Sequence, residues 1–324
     1  MYLLSFFAPK TTGMAKETRQ TTRHILMVRP ARFGYNPETA SSNAFQSEDR
    51  SLRSNEIRKM ALAEFDQLVE TLDSVGVHVI VAEDTPQPAK PDAVFPNNWI
   101  TFHEDGTVVT YPMLSPARRL ERREDIIELV GRQFHIARRV KLERFEEEGK
   151  FLEGTGSMII DRPNGIVYAC QSPRTHPDLL DHFCKLMGYQ SVLFKAVDAE
   201  GMDIYHTNVM MALGESFVVI CRDSIPEGKM WSQLQEYFEK TNKEIISISL
   251  PQMMSFAGNM LQVRAAEDTP LLVMSSQAFE SLTPSQLLAF EKHTNIMHAP
   301  IPTIEKYGGG SVRCMMAEVF LPEK

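Results

Sequence analysis

SMIIDRPNGIVYACQSPRTHPDLLDHFCKLMGYQSVLFKA, residues 157–196, holds the pattern that decides the fold. Two short apolar runs, 157–160 and 166–169, flank Asn164-Gly165, a dipeptide suited to the positive-φ positions of a tight hairpin turn. A helix over 177–187 and a strand over 191–196 follow, so the order is hairpin, helix, strand.

The same order recurs on both sides of this stretch. Residues 99–102 and 107–111 flank Glu104-Asp105-Gly106, ahead of a helix over 118–131 and a strand over 137–142. Residues 206–212 and 217–221 flank Gly214, ahead of a helix over 229–241 and a strand over 244–248. Residues 259–264 and 271–274 precede a helix over 283–294 and a strand over 296–299. The hairpins open at Trp99, Ser157, His206 and Asn259, at intervals of 58, 49 and 53 residues, a structural repeat without sequence identity.

A fifth unit is assembled from both ends of the chain. A strand over 25–28 pairs with a C-terminal strand around 312–321. Ile57, Met60, Ala61, Phe65, Leu68 and Leu72 mark an amphipathic helix leading into a strand over 77–82. Closing such units into a ring gives a five-bladed pseudo-symmetric α/β propeller, a single domain over 24–324 with no exposed sheet edges. An ordinary doubly wound sheet is the alternative, and it requires crossovers where these hairpins stand. Residues 1–23, polar towards their end and with Met14 among them, read as a flexible extension.

Composition narrows the partners. The 324 residues are 43% hydrophobic and 23% charged, which describes a globular chain, and the net charge of −8 gives no support to a nucleic-acid or anionic-membrane surface. The one dense basic cluster, Arg118-Arg119 with Arg122-Arg123, is interleaved with Glu121, Glu124 and Asp125 and reads as a solvated helix face. No apolar run approaches the roughly 20 residues of a bilayer-spanning helix, and the first residues lack a signal peptide's basic region and cleavage site, so the chain reads as cytoplasmic. Monomer and homo-oligomer both fit. Cys170, Cys184, Cys221 and Cys314 form no CxxC pair, which argues against a zinc ribbon or disulfide framework.

In a ring of like units, the segments leading into each first strand project at one end of the axis. That position brings together Asp92-Ala-Val-Phe-Pro-Asn-Asn-Trp99, Phe151-Leu-Glu-Gly-Thr-Gly-Ser157, Tyr205-His-Thr-Asn208 and Gly308-Gly-Gly-Ser-Val-Arg-Cys314. Cys314 follows three glycines and adjoins Arg313, and a nearby cation favours the thiolate. The other three cysteines lie in apolar strands or helices and read as small hydrophobes. His206 taken singly reads as a core histidine, and Glu153 as a cap for the Gly154–Gly156 turn. At one ring position with Cys314 they become a nucleophile, acid/base and carboxylate set that acts on a small-molecule substrate.

These residues resemble a known family. Glu-Gly-x-Gly at Glu153, His-x-Asn at His206 and Gly-Gly-Gly-x-x-Arg-Cys-Met ending at Met315 are similar to the guanidine-modifying superfamily of arginine deiminases, dimethylarginine dimethylaminohydrolases and amidinotransferases, which share a five-bladed α/β propeller. Within it the chain looks most like the citrulline utilisation hydrolases, or citrulline ureidases, through Val28-Arg-Pro30, Phe33-Gly-Tyr-Asn36, Phe95-Pro-Asn-Asn-Trp99 and His206-Thr-Asn208. The resemblance implies Cys314 as nucleophile, His206 as general acid/base and Glu153 as catalytic carboxylate. It implies Arg174 and Arg119 on the substrate α-carboxylate, Asp92 on its α-ammonium, and Asn97, Asn98 and Asn208 among the substrate-binding residues. No metal or organic cofactor is implied, and the histidines lack a ligand spacing such as HExxH.

Two departures bear on the substrate. The family's deiminases carry aspartates at the positions of Asn98 and Asn208, where they grip a cationic guanidinium. Here both are amides, which suit a neutral ureido group. The expected reaction is cysteine-dependent hydrolysis of citrulline to ornithine, CO2 and ammonia. The alternatives are a deiminase, dimethylarginine hydrolase or amidinotransferase acting on a guanidino compound, or a non-catalytic member that binds amino acids.

Overall fold

Gly165, at φ +65°, closes the Ile159–Asp161/Ile166–Cys170 hairpin. Helix Pro177–Met187 then carries the chain back, so that Gln190–Phe194 lies parallel to Ile166–Cys170. A tight turn can reverse a chain into an antiparallel pair, whereas a parallel pair needs a crossover, here the helix. In the computed structural model, which describes residues 18–40, 43, 45–48 and 51–324, this unit has four counterparts, each a three-stranded sheet with one antiparallel and one parallel pair.

The first unit comprises Ile100–Phe102, Thr107–Thr110 and Arg138–Lys141. The third comprises Met211–Leu213, Phe217–Cys221 and Glu244–Ile248, and the fourth Leu261–Arg264, Pro270–Ser275 and Asn295–Ala299. Both ends of the chain build the fifth. His24–Arg29 runs parallel to His78–Glu83, from His24↔His78 to Arg29↔Glu83, and antiparallel to Ala317–Glu318 through Ile25↔Glu318 and Leu26↔Ala317. Its crossover helix, Ser54–Ser74, buries Ile57, Ala61, Phe65, Leu68 and Leu72. Each large apolar side chain so buried contributes roughly 1.5–3 kcal/mol. Met60, one residue off that stripe, is 44% exposed.

First strands of different units pack beside one another: Ile159–Asp161 against Met211–Leu213, Met211–Leu213 against Leu261–Arg264, and Ala317–Glu318 against Ile100–Phe102. Among the described residues, each sheet keeps its own hydrogen-bonded ladder. The result is a mixed α/β fold in which the segments leading into the first strands converge. No helix among the described residues is long and apolar enough to cross a membrane.

Three expectations are corrected. The helix over 118–131 is two helices, Pro116–Arg119 and Glu124–Gly131, because Arg118 and Glu121 turn inward as a buried ion pair and break the solvated face read from the sequence. The C-terminal strand shrinks to Ala317–Glu318, since Val312–Met315 is a helical turn. The extension expected over 1–23 lies outside the described residues as far as residue 17, but its end is packed. Gln20 and Thr21 are buried, and Gln20 Nε2 donates to Ile160 O (2.9 Å) while its Oε1 accepts from Arg162 N (2.9 Å).

Candidate active site

Four of the converging segments are single helical turns: Pro96–Asn98, Gly154–Ser157, Thr207–Met210 and Val312–Met315. Strands were expected to begin at Ser157 and His206, but the first strands start later, at Ile159 and Met211. Glu153 and His206 each stand immediately before such a turn, and Cys314 within one. Close approach demands glycine here. A Cβ on Gly156 would lie 2.4 Å from Asn98 Nδ2 and 2.8 Å from His206 Nδ1, and Gly309, at φ +64°, would drive one to 2.5 Å from Asn43 Nδ2.

Glu153 is fully buried. Its Oε2 accepts from His206 Nε2 at 2.8 Å and lies 3.5 Å from Arg174 Nη1, while Oε1 accepts from Leu114 N at 3.0 Å. The carboxylate makes no cap to its own turn. Burial alone would raise its pKa, but Arg174, His206 and Arg118 together outweigh that and hold it at about 2. The same burial lowers His206 to about 4, with Arg174 and Arg118 adding to it and Glu153 opposing. The resting pair is therefore carboxylate and neutral imidazole, with the Nε2 proton donated to Glu153.

Cys314 is buried, and its Sγ lies 3.4 Å from Asn208 Nδ2 and 3.2 Å from Asn259 Nδ2. The cation expected beside it is turned away: the Arg313 guanidinium donates to Met316 O (2.9 Å) and pairs with Glu318 (2.8 Å). Two amides, not an arginine, face the sulfur. The other cysteines are buried thiols, with desolvation pushing Cys170 and Cys184 up to about 12 and Cys221 upward as well.

Asp92, Asn98, Arg118, Arg174, His206 and Cys314 line one narrow cleft, together with Phe95, Tyr205, Gly308 to Gly310, Thr39 and Asn43. Arg174 is buried, with its guanidinium 4.9 Å over the Tyr205 ring. Asp92 Oδ2 accepts from Asn36 Nδ2 (2.7 Å) and lies 3.8 Å from Arg118 Nε, while Oδ1 is buried without a protein partner. Burial raises the Asp92 pKa, opposed by Arg118. Arg118 Nη1 donates to Asn98 Oδ1 at 2.8 Å, leaving Asn98 Nδ2 buried and unpartnered. Asn208 likewise commits Nδ2 to the sulfur and leaves Oδ1 buried and unpartnered.

A family model described as N,N dimethylarginine dimethylhydrolase, eukaryotic, matches residues 29–321. The chain belongs to this family. It thereby falls in the guanidine-modifying superfamily. No curated protein matches the sequence significantly. Among solved structures, the N-terminal domain of ArgZ bound to product, an arginine dihydrolase from cyanobacteria, matches with TM-score 0.71 and 16% identity over 92% of this chain and 98% of that one. Unliganded AgrE matches with TM-score 0.71 and 17% identity over 93% and 40%. A cysteine-to-serine mutant of the dimethylarginine hydrolase from Pseudomonas aeruginosa, complexed with citrulline, matches with TM-score 0.64 and 15% identity over 92% and 99%. At these identities the likeness is one of fold.

Two expected substrate residues, Arg119 and Asn97, stand apart from the cleft, and a third, Asn208, meets it only behind the Cys314 sulfur. Arg119 is partly exposed, donates to Met113 O (3.0 Å) and pairs with Glu146 (3.3 Å). Its neighbour Arg118 takes the inward position. Asn97 is buried against the Glu153 turn, with Nδ2 3.3 Å from Thr155 Oγ1. Sequence reasoning missed Arg118, Glu121, Asn36 and Asn259. The spacing of Arg118 and Glu121, three residues apart on the turn that Pro116 opens, was the available signal for that pair.

Proposed function

We propose that this family member hydrolyses the ureido group of citrulline, giving ornithine, CO2 and ammonia. The observation that carries the reading is the orientation of two amides. A guanidinium only donates, so its bond to Asn98 Oδ1 leaves Asn98 Nδ2 as the free donor, buried and without a protein partner. Asn208, with Nδ2 on the sulfur, offers an acceptor. One donor and one acceptor match a group with a carbonyl oxygen and N–H bonds. A guanidinium bears donors alone and would meet Asn98 Nδ2 head on, beside the positive charge of Arg118.

In the proposed chemistry, His206, neutral at rest, takes the Cys314 thiol proton, and the sulfur attacks the ureido carbon as the carbonyl electron pair moves to oxygen. Collapse of the adduct expels one nitrogen, which takes the proton from His206, and leaves a thioester. Water attacks it and gives a proton to His206, and the carbon–sulfur pair returns to sulfur, which then takes that proton and restores the thiol and the neutral imidazole. The carbamate loses CO2 and frees the second nitrogen. Glu153, held ionised, balances the imidazolium formed in both halves. Arg174 and Asp92 are assigned to the α-carboxylate and α-ammonium.

The five sheets are read as blades of one closed propeller, a single catalytic domain whose axis ends at this cleft. A guanidino substrate is the second reading, favoured by the family match and by the arginine dihydrolase likeness. Incubating the protein with citrulline and with arginine, and quantifying ornithine and citrulline formed, separates them. Ornithine from citrulline with arginine untouched supports the ureido reading, and either citrulline or ornithine formed from arginine supports the second.

A further inference from the structure

The fourth unit also sends a polar side chain to the convergence point. Asn259 precedes the first strand of its sheet, as Asn98, Glu153 and His206 do in theirs, and it is 1% exposed. Its Oδ1 accepts from Arg313 N at 3.1 Å, a group that only donates, so Nδ2 must face the other way. There it donates to Asn208 O at 3.0 Å and meets Cys314 Sγ at 3.2 Å. One side chain joins the segment carrying Asn208 to the turn carrying the thiol.

We propose that Asn259 is a further catalytic residue, whose amide holds the Cys314 sulfur as an anion both when it attacks and when it is expelled from the thioester. The proposal rests on Cys314 being the nucleophile. In the first half the thiol proton leaves for His206 before the sulfur–carbon bond forms. In the second, that bond breaks with its electron pair returning to sulfur. Negative charge lies on Sγ at both moments, and hydrogen bonds to a charged acceptor are about twice as strong as neutral ones. Asn259 and Asn208 supply these donors from two different units, so the sulfur is gripped on two sides with no cation needed.

The test is the rate of Cys314 alkylation by iodoacetamide across pH, followed by peptide mass spectrometry, alongside kcat and the melting temperature. Wild type, Asn259→Ala and Asn259→Asp are compared. Alanine removes the donor; aspartate sets a like charge against the anion. At neutral pH, alkylation falls about tenfold or more in Asn259→Ala and further in Asn259→Asp. The pH of half-maximal alkylation rises in that order, with kcat falling in parallel. Asn259→Ser, which can still donate, replaces the aspartate variant if that fails to fold, and falls between wild type and alanine. A purely structural role would lower the melting temperature and leave the alkylation profile in place, and that result overturns the proposal. Turnover in wild type surviving full alkylation of Cys314 would remove the nucleophile itself. Turnover lost on alkylation, with unshifted variants, would remove Asn259 alone.

Discussion

Arg118 Nη1 lies 2.8 Å from Asn98 Oδ1, and this one bond fixes Oδ1 as the engaged acceptor and leaves Asn98 Nδ2 as the unpartnered donor of that amide. The same guanidinium grips both oxygens of Glu121, at 3.0 Å from Nε and 3.0 Å from Nη2, so its plane is fixed from two sides. Arg118→Lys keeps the charge but has no fork. The variant is expected to lose about tenfold or more in kcat/KM for citrulline, and to melt earlier because Glu121 keeps only one hydrogen bond in a buried site. Steady-state kinetics with a thermal melt on the same sample checks both.

Cysteine replacement separates nucleophile from packing. Cys314→Ser and Cys314→Ala should lower turnover by several orders of magnitude with the fold retained. Alanine at Cys170, Cys184 or Cys221 should leave kcat within a few-fold of wild type, since all three are protonated buried thiols. Loss of activity at one of those three, with Cys314→Ala still active, would reassign the nucleophile.

The lowered pKa of His206 has a direct kinetic consequence. A base works only when deprotonated, so the acid limb of kcat/KM should fall through about pH 4, well below the roughly 6.5 of an ordinary histidine. Glu153 is the group that raises His206, so Glu153→Gln should move the limb lower still. That substitution also strips Arg174 of its carboxylate, which costs about 3–5 kcal/mol of stability in a buried pair. A pH–rate profile with the limb near neutrality would assign the base elsewhere.

Recognition of the amino-acid end is tested by Arg174→Ala. Affinity for citrulline should fall much more than affinity for an analogue lacking the α-carboxylate. Arg174 also lies 3.5 Å from Glu153, so both ligands should lose turnover, while only the carboxylate-bearing one loses binding. Equal losses in binding would show that Arg174 serves Glu153 alone.

The repeat was legible because its signals are local. Turn dipeptides such as Asn164-Gly165, the apolar stripe of Phe65, Leu68 and Leu72, and helical spacing over Pro177–Met187 each act within a few residues. Ring placement then brought Glu153, His206, Asn208 and Cys314 to one point across more than a hundred residues. Distinguishing Arg118 from Arg119 was a different matter, since neighbouring arginines differ only in which side of one short turn they occupy. Arg313 misled for a related reason: its guanidinium follows Glu318 across the strand, and adjacency in sequence says nothing about that direction. Asn259 was marked only as the start of a hairpin, because its contacts, Cys314 and Asn208, come from other units and leave no local trace.

The ureido assignment is tested most directly by giving the wild-type protein citrulline labelled at the ureido carbon, beside an equal concentration of arginine, and following ornithine and labelled CO2. The account predicts labelled CO2 in step with ornithine, with arginine left intact. Consumption of arginine while the labelled citrulline persists would contradict it, and would place a guanidinium where Asn98 and Asn208 are held here to meet a neutral group.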